Sequence, residues 1–223
     1  MLSDLFNNPL GFFFWLLALT IAITIHEFAH AWAAERLGDP TPRLMGRLTL
    51  NPLAHLDPIG TIMLLIARFG WGKPVVFDPF NLRHPRRDGA IISIAGPLSN
   101  LILATLCSLL LQILFHVRLP FVNFSFMGLF VYVLIGLLKP IIILNVVLAV
   151  FNLVPIHPLD GFKIVGGLLP EEYARQWGEL EPYGMIFLLF LILPIAGTSP
   201  IHSLISPVID FIVSILLPSA PII

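Results

Sequence analysis

The sequence predicts an all-α polytopic membrane protein with three long helices, a short re-entrant or extended segment between the first two, and a C-terminal helical hairpin. Composition is the first reason, since 57% of the 223 residues are hydrophobic, 11% are charged and the mean hydropathy is +0.95. A soluble domain is about one-quarter charged. The second reason is a series of uncharged runs of about 20 residues or more, the length that crosses a hydrocarbon core of about 30 Å.

The same composition excludes several classes of protein. A net charge of −1 provides no basic surface for nucleic acid, and a soluble enzyme or a disordered chain would need far more polar residues. The single cysteine excludes a disulfide framework and a zinc site built from four cysteines. The lipid bilayer is therefore the first predicted partner, and nucleic acid is not one.

The uncharged runs predict five helices in chain order, at about 11–34, 89–116, 126–154, 183–196 and 201–217. The last two form the hairpin, because Gly197-Thr198-Ser199-Pro200 is a typical turn sequence. The longest polar stretches are too short to fold alone. Residues 1–223 are therefore predicted to form one membrane domain.

Residues 58–67 are apolar, but a ten-residue helix rises only about 15 Å, half the thickness of the hydrocarbon core. We therefore expect a re-entrant or buried short helix. Eight of the twelve Lys and Arg residues lie between helices one and two: Arg36, Arg43, Arg47, Arg68, Lys73, Arg83, Arg86 and Arg87. If residues 58–67 do not cross, all eight share one side, which the positive-inside rule makes cytoplasmic. The prediction is a multi-pass plasma-membrane protein with an external N-terminus.

The first uncharged run ends at His26-Glu27-Phe28-Ala29-His30. Residues four apart lie on one face of a helix, so His26 and His30 can bind one metal ion while Glu27 acts as general base toward water. One Zn²⁺ per chain is predicted, because zinc accepts imidazole and carboxylate ligands tetrahedrally and leaves a position for water. A chance match is disfavoured, since ionisable side chains in a membrane helix are costly without partners or a wet cavity.

Two histidines need a third protein ligand, and Asp160 is the best candidate. Helices one and three are predicted to run in the same direction, so His26, His30 and Asp160 lie near one membrane face. Pro155 and Pro158 prevent a regular helix before Asp160, and irregular backbone at this depth must line a cavity or be buried in protein. The alternative is that Asp160 caps a helix at the interface.

Five segments together resemble the site-2 protease family of intramembrane zinc metalloproteases. They are HEFAH at 26–30, NPLAHLDPIG at 51–60, GWGKPV at 70–75, GPLSN at 96–100 and NLVPIHPLDG at 152–161. The resemblance covers about residues 11–168 and points to the compact prokaryotic branch, which has no PDZ or CBS domain. The sequence departs from this branch at His157, where proline is usual, and at Phe162-Lys163.

The resemblance implies a zinc metalloendopeptidase that acts on the transmembrane segment of another protein, with its active site toward the cytoplasmic side. It implies that His26, His30 and Asp160 bind zinc and that Glu27 activates water. It also implies that Asn152 hydrogen-bonds the substrate carbonyl or its oxyanion, a role that suits an uncharged amide donor.

The family fold also implies a catalytic core of three helices, at about 11–168 in this chain, followed by the hairpin at about 183–217. A partly extended segment between the first two helices can pair with an unwound substrate. Residues 71–79 are the candidate edge for this pairing, because Val75, Val76 and Phe77 lie between two prolines. The sequence makes no prediction of the oligomeric state.

Other interpretations stay open at this point. A membrane zinc transporter or sensor also needs buried His and Asp, but has no use for Glu27 or Asn152. A non-catalytic escort of membrane proteins is disfavoured by the intact set of site residues. Asn100 either packs between helices or gives substrate or water access to the site. His55 and Asp57 either cap and pack the segment at 58–67 or form a second metal pair.

Overall fold

The computed structural model describes residues 6–67, 70–116, 126–194 and 198–217, and regular structure within them is helical apart from isolated β-bridge residues. The long helices are α1 (Pro9–Leu37), α4 (Pro85–His116) and α5 (Phe126–Asn152). The shorter helices are α2 (Thr41–Leu44), α3 (Pro58–Ala67), α6 (Asp160–Leu168), α7 (Glu171–Gly178), α8 (Glu181–Ile192) and α9 (Pro200–Leu216).

Three of the described helices, α1, α4 and α5, are long and apolar enough to cross a membrane. Their outer surfaces expose large apolar side chains, among them Phe13, Leu17, Ile102, Leu106 and Leu109. A continuous surface of this kind is unfavourable in water and suits contact with lipid. The predicted all-helical fold with three long membrane helices is therefore confirmed.

The ends of α1 follow from its sequence. Asn8 caps the first turn, where its Oδ1 accepts a hydrogen bond from Gly11 N at 3.0 Å, and Pro9 takes the first helical position, which needs no N–H. Gly38 ends the helix at φ 108°, a left-handed conformation that glycine adopts without steric cost. These signals extend α1 beyond the predicted 11–34 at both ends.

The three long helices pack closely, with α1 against α4 and α5, and with α6 against α4. The buried face of α1 consists largely of alanine: Ala18, Ala22, Ala31, Ala33 and Ala34. Small side chains allow helix backbones to approach closely, which drives association where lipid removes the usual hydrophobic advantage. The consequence is that the HEFAH residues on α1 lie directly against the neighbouring helices.

Helix α5 passes through Lys139 and Pro140 without ending there. Lys139 is exposed, whereas Leu138 and Ile142 beside it belong to the main apolar cluster. The third long helix therefore begins at Phe126, as predicted, and not near Lys139.

The chain between α1 and α4 contains the short apolar helix α3, with the bounds predicted from sequence. Asp57 caps it, since Asp57 Oδ1 accepts a hydrogen bond from Gly60 N at 2.8 Å. His55 has a different partner, Thr49 O at 2.8 Å from its Nε2. The two side chains thus have separate structural roles. Arg68 and Phe69 lie outside the described residues, and the re-entrant path of α3 stays a prediction.

The segment that follows α3 is partly extended and is held at both ends. At its start Gly72 forms an antiparallel bridge with Leu56, and Lys73 N donates to His55 O at 2.8 Å. At its end Asp78 N donates to Asp39 Oδ2 at 2.8 Å. The segment is therefore fixed beside the C-terminal half of α1.

Asp39 is the fully buried carboxylate that makes this second attachment. It also accepts hydrogen bonds from the Thr41 backbone and hydroxyl, and from Asn81 Nδ2 at 2.8 Å. Burial alone would raise the pKa of Asp39, but the hydrogen bonds from Thr41, Asn81 and Asp78 outweigh it and hold the pKa below the usual value. Asp39 is therefore ionised at neutral pH.

The C-terminal region forms two short apolar helices, α8 and α9, that contact each other, and α9 also packs against α5. With 12 and 17 residues they are shorter than the three long helices. The helix predicted at about 183–196 ends earlier, at Ile192, because Leu193 is extended. Residues 195–197, which include Gly197 of the predicted turn, lie outside the described residues. Helices α6 and α7 are additional to the sequence prediction.

Candidate metal centre

His26, His30 and Asp160 converge on one point inside the bundle. The two Nε2 atoms of the histidines are 3.0 Å apart, and Asp160 Oδ2 lies 3.1 Å from His26 Nε2 and 3.3 Å from His30 Nε2. Both histidines are buried, at 5% and 8% exposure. The predicted third ligand is thus next to the two histidines, although 130 residues separate it from His30.

Two features of the local sequence bring Asp160 to this point. Residues 153–159, which contain Pro155 and Pro158, are not helical and connect α5 to α6, whose first residue is Asp160. Gly161 then lies against the end of α5, where a Cβ atom would be 2.3 Å from Leu153 O. Only glycine fits this close approach, so the turn and Asp160 are fixed together.

The hydrogen bonds to the other ring nitrogen determine the tautomer of each histidine. His30 Nδ1 is 2.7 Å from Ile92 O, a carbonyl that can only accept, so His30 Nδ1 carries the proton. His26 Nδ1 is 2.6 Å from Asn100 Oδ1, and it also donates. In the neutral imidazoles, both Nε2 atoms therefore present lone pairs toward Asp160.

The donor set fits a zinc ion. Asp160 Oδ2 is buried and accepts no hydrogen bond, and the two histidine lone pairs face it. Three electron-pair donors in contact repel one another unless a cation or a proton lies between them. Ligand atoms bound tetrahedrally at about 2.0–2.1 Å are about 3.3 Å apart, which is close to the observed separations.

Gly96 on α4 forms the wall of this site. A Cβ atom at position 96 would be 2.4 Å from His30 Nε2 and 2.7 Å from His26 Cε1. These separations are far below van der Waals contact, so any side chain would enter the space between the two rings. The glycine therefore keeps open the volume that a metal ion needs.

Glu27 lies beside the histidines on α1 and is half-buried. Its Oε2 accepts a hydrogen bond from Val75 N at 2.9 Å. Val75 is at the centre of residues 71–79, the segment predicted as the substrate-pairing edge. The candidate general base and the candidate edge are thus in direct contact.

Asn152 is the last residue of α5, half-buried, and its Nδ2 donates to Leu148 O at 2.9 Å. Its predicted contact with a substrate stays a prediction.

The contacts of His157 lie outside the cluster of His26, His30 and Asp160. Its Nδ1 lies 3.7 Å from Glu181 Oε1, and its ring packs on Phe162. It therefore connects the turn before Asp160 to α8.

Sequence reasoning missed the partners of the two histidines. Ile92 O could not be found, because backbone carbonyls carry no sequence signal. Asn100 did carry one, since a polar amide in an apolar helix needs a partner, but nothing in the sequence indicated that His26 was that partner.

Three side-chain atoms that could hold one metal ion, with a glutamate beside them and apolar helices around them, are typical of a membrane-embedded metalloprotease. The comparison with protein families agrees, because the model of peptidase family M50 matches residues 14–193. The chain belongs to this family, which is the site-2 protease family that the motifs resemble.

Named relatives support the assignment. The chain is 40% identical over 183 residues to "Putative zinc metalloprotease YwhC" of Bacillus subtilis, covering 82% of this chain and 81% of that protein. It is 31% identical over 182 residues to "Putative zinc metalloprotease Rip2" of Mycobacterium tuberculosis, covering 78% and 64%. It is 22% identical over 171 residues to "Zinc metalloprotease MJ0392" of Methanocaldococcus jannaschii, covering 77% and 39%. No solved structure gives a significant match.

The protein is therefore an intramembrane zinc metalloprotease of family M50. The predicted enzyme class and the predicted zinc cofactor are confirmed, and the cluster of His26, His30 and Asp160 could bind that zinc.

Proposed function

We propose that this protein hydrolyses peptide bonds within or near the transmembrane segments of other membrane proteins, using zinc held by His26, His30 and Asp160 and the general base Glu27. The observation that carries the proposal is the convergence of the three ligand atoms within 4.8 Å of one another beside Glu27. Such a site, enclosed by lipid-facing helices, suits a substrate that itself lies in the membrane.

The bound zinc would supply Lewis-acid polarisation of the scissile carbonyl and would make a water molecule more acidic. Glu27 accepts the proton of the attacking water and later delivers it to the leaving amine. The hydrogen bond from Val75 N holds Oε2 of Glu27, and Oε1 is the proposed proton acceptor. The fixed carboxylate reduces the reorganisation that proton transfer would otherwise require.

Asn152 is the proposed hydrogen-bond donor to the substrate carbonyl as it becomes an oxyanion. Its amide nitrogen has two hydrogens, of which one bonds to Leu148 O. The second is the proposed donor to the substrate. Asn152 also begins the turn that leads to Asp160, which favours a position near the reacting bond.

Residues 71–79 are the proposed edge for an unwound substrate, since a helical peptide bond is shielded from attack. The contact between Val75 and Glu27 supports this assignment, because a peptide beside the segment would also lie beside the base. Phe77 of the same segment lines an open cavity of about 950 Å³ together with Phe162, Lys163 and Trp177. This cavity is the proposed path for the substrate chain that leaves the site.

The test is cleavage of a model transmembrane peptide by the purified protein in detergent, with zinc content measured on the same samples. Glu27→Gln is expected to keep one zinc per chain and to lower turnover by about 10²–10⁴-fold, because it removes the general base alone. Glu35→Gln is the matched control, since Glu35 lies on the same helix but pairs with Arg43 at 2.8 Å. Turnover by Glu27→Gln at the rate of this control would refute the role of Glu27.

A further inference from the structure

Asn100 on α4 and Asn145 on α5 are fully buried amides between the long helices, and the proposed reaction does not use them. An amide inside a membrane bundle is unfavourable unless each polar atom finds a partner. In this protein the two amides contact each other, since Asn100 Nδ2 lies 2.7 Å from Asn145 Oδ1. They join α1, α4 and α5 in one hydrogen-bonded chain that ends at His26.

The direction of every bond in this chain is determined by its two ends. Asn145 Nδ2 donates to Ile141 O at 2.8 Å, and Asn100 Nδ2 donates to Ala22 O at 3.0 Å. Both acceptors are backbone carbonyls, which cannot donate. Rotating the Asn100 amide by 180° would place Oδ1 against Ala22 O and against Asn145 Oδ1, so that acceptors would face acceptors. Only one orientation satisfies all the partners.

This orientation leaves Asn100 Oδ1 facing His26 Nδ1 at 2.6 Å. His26 must then donate from Nδ1, and its Nε2 lone pair points toward Asp160 and His30. His30 is held in the same way by the backbone carbonyl of Ile92. A substitution of Asn100 can therefore remove the hydrogen-bond partner of His26 Nδ1. No side-chain substitution removes the backbone carbonyl that accepts the hydrogen bond from His30 Nδ1.

We infer that Asn100 is a positioning residue that fixes the tautomer and the ring orientation of His26, and that Asn145 in turn fixes the Asn100 amide. The inference rests on the proposed role of His26 as a zinc ligand. Hydrogen bonds to the outer nitrogen of a metal-binding histidine raise its basicity and fix its direction. Zinc affinity should therefore depend on two residues that do not touch the metal.

The experiment measures zinc affinity by chelator competition and the visible absorption of the cobalt-substituted protein. Asn100→Ala is expected to weaken zinc binding by about 10–100-fold, the range for loss of such a partner, and to change the cobalt spectrum. Asn145→Leu, which leaves Asn100 in place, is expected to cause a smaller decrease in the same direction. Thermal stability of the zinc-free variants is measured alongside.

Ser108→Ala is the matched control, because Ser108 is buried on the same helix and its Oγ bonds to Leu216 O, remote in sequence from the HEFAH motif. It is expected to lower stability without changing zinc affinity or the cobalt spectrum. Zinc affinity and a cobalt spectrum in Asn100→Ala equal to those of this control would overturn the inference.

If Asn100→Ala does not fold, the zinc affinity and cobalt spectrum of Asn145→Leu are compared with those of Ser108→Ala. Equal values would overturn the inference. The wild type separates this inference from the proposed function. A wild type without zinc contradicts the ligand assignment, whereas a zinc-binding wild type with unaffected variants contradicts the positioning role alone.

Discussion

The candidate metal centre at His26 and His30 is built from contacts that no single helix can supply. Their four-residue spacing places both rings on one face of α1, but the direction of each Nε2 atom depends on α4, through Asn100 Oδ1 and Ile92 O. Asp160 closes the site from α6. Each proposed ligand therefore lies on one helix and contacts a partner on another helix.

Gly96 provides the first prediction at the scale of single residues. Gly96→Ala is expected to abolish zinc binding and cleavage, because the added Cβ would lie 2.4 Å from His30 Nε2. Gly89→Ala on the same helix is the matched control, since its Cβ would meet Phe77 at an ordinary 3.7 Å. Zinc content and peptide cleavage are measured for both.

Gly89→Ala is expected to retain zinc and activity. A Gly96→Ala protein that binds one zinc per chain and cleaves at the wild-type rate would show that the metal does not lie between the two rings.

At the scale of elements, the extended segment after α3 is attached to α1 at one point and to the turn that follows α1 at another. One is the bond from Val75 N to Glu27 Oε2, and the other is the bond from Asp78 N to Asp39 Oδ2. Arg47 adds a further attachment to the segment, since it is buried and donates to Lys73 O at 3.3 Å. The candidate edge is thus a fixed part of the site.

The backbone of Val75 gives a prediction for this element. Val75→Pro removes the N–H that holds Glu27, so kcat is expected to fall by about tenfold or more, as expected when a catalytic group loses its fixed position. Zinc affinity should not change, because the ligands are untouched. Val75→Ala retains the N–H and serves as the control.

The measurement is kcat and KM for a transmembrane peptide, together with zinc affinity. Equal kcat for Val75→Pro and Val75→Ala would contradict a positioning role of this hydrogen bond.

The long helices could be predicted from sequence because length and lack of charge determine them, and α3 could be bounded by Pro58 and its apolar run. The ends of α1 were less predictable, since Gly38 and Asn8 act through local backbone geometry. Helices α6 and α7 were missed because one is short and glycine-rich and the other is polar. Their stability comes from contacts such as Trp177 Nε1 to Phe162 O at 2.9 Å, which sequence patterns do not indicate.

At the scale of the whole molecule, the three long helices and α6 together contain the candidate site, and the long helices expose apolar side chains on their outer surfaces. The predicted direction of this bundle places the basic loops, and with them the metal centre, toward the cytoplasm. This orientation can be tested because the chain has one cysteine, Cys107, which can be replaced by alanine before new cysteines are introduced.

In that background Asn7→Cys and Gln176→Cys report on the two sides, since both positions are exposed. A membrane-impermeant maleimide is expected to label Asn7→Cys in intact cells and Gln176→Cys only after permeabilisation. The reverse pattern would contradict the cytoplasmic orientation.

The site was predictable to the extent that its chemistry lies in local motifs. His26, Glu27 and His30 follow from helical spacing, and Asp160 from the proline-interrupted turn. The amide chain through Asn100 and Asn145 was not predictable, because its members are brought together only by the packing of three helices. The sequence thus indicates which side chains take part in the proposed reaction, and the packing of the helices determines how these side chains are oriented.

In the proposed zinc site, His26, His30 and Asp160 together bind one zinc ion. X-ray absorption at the zinc edge is measured for the purified protein and for Asp160→Ala. The wild type is expected to contain one zinc with two imidazole ligands at about 2.0–2.1 Å and the remaining ligands from oxygen, and Asp160→Ala is expected to lose the metal or one protein oxygen ligand. A wild-type zinc without two imidazole ligands, or an unchanged spectrum in Asp160→Ala, would contradict the assignment.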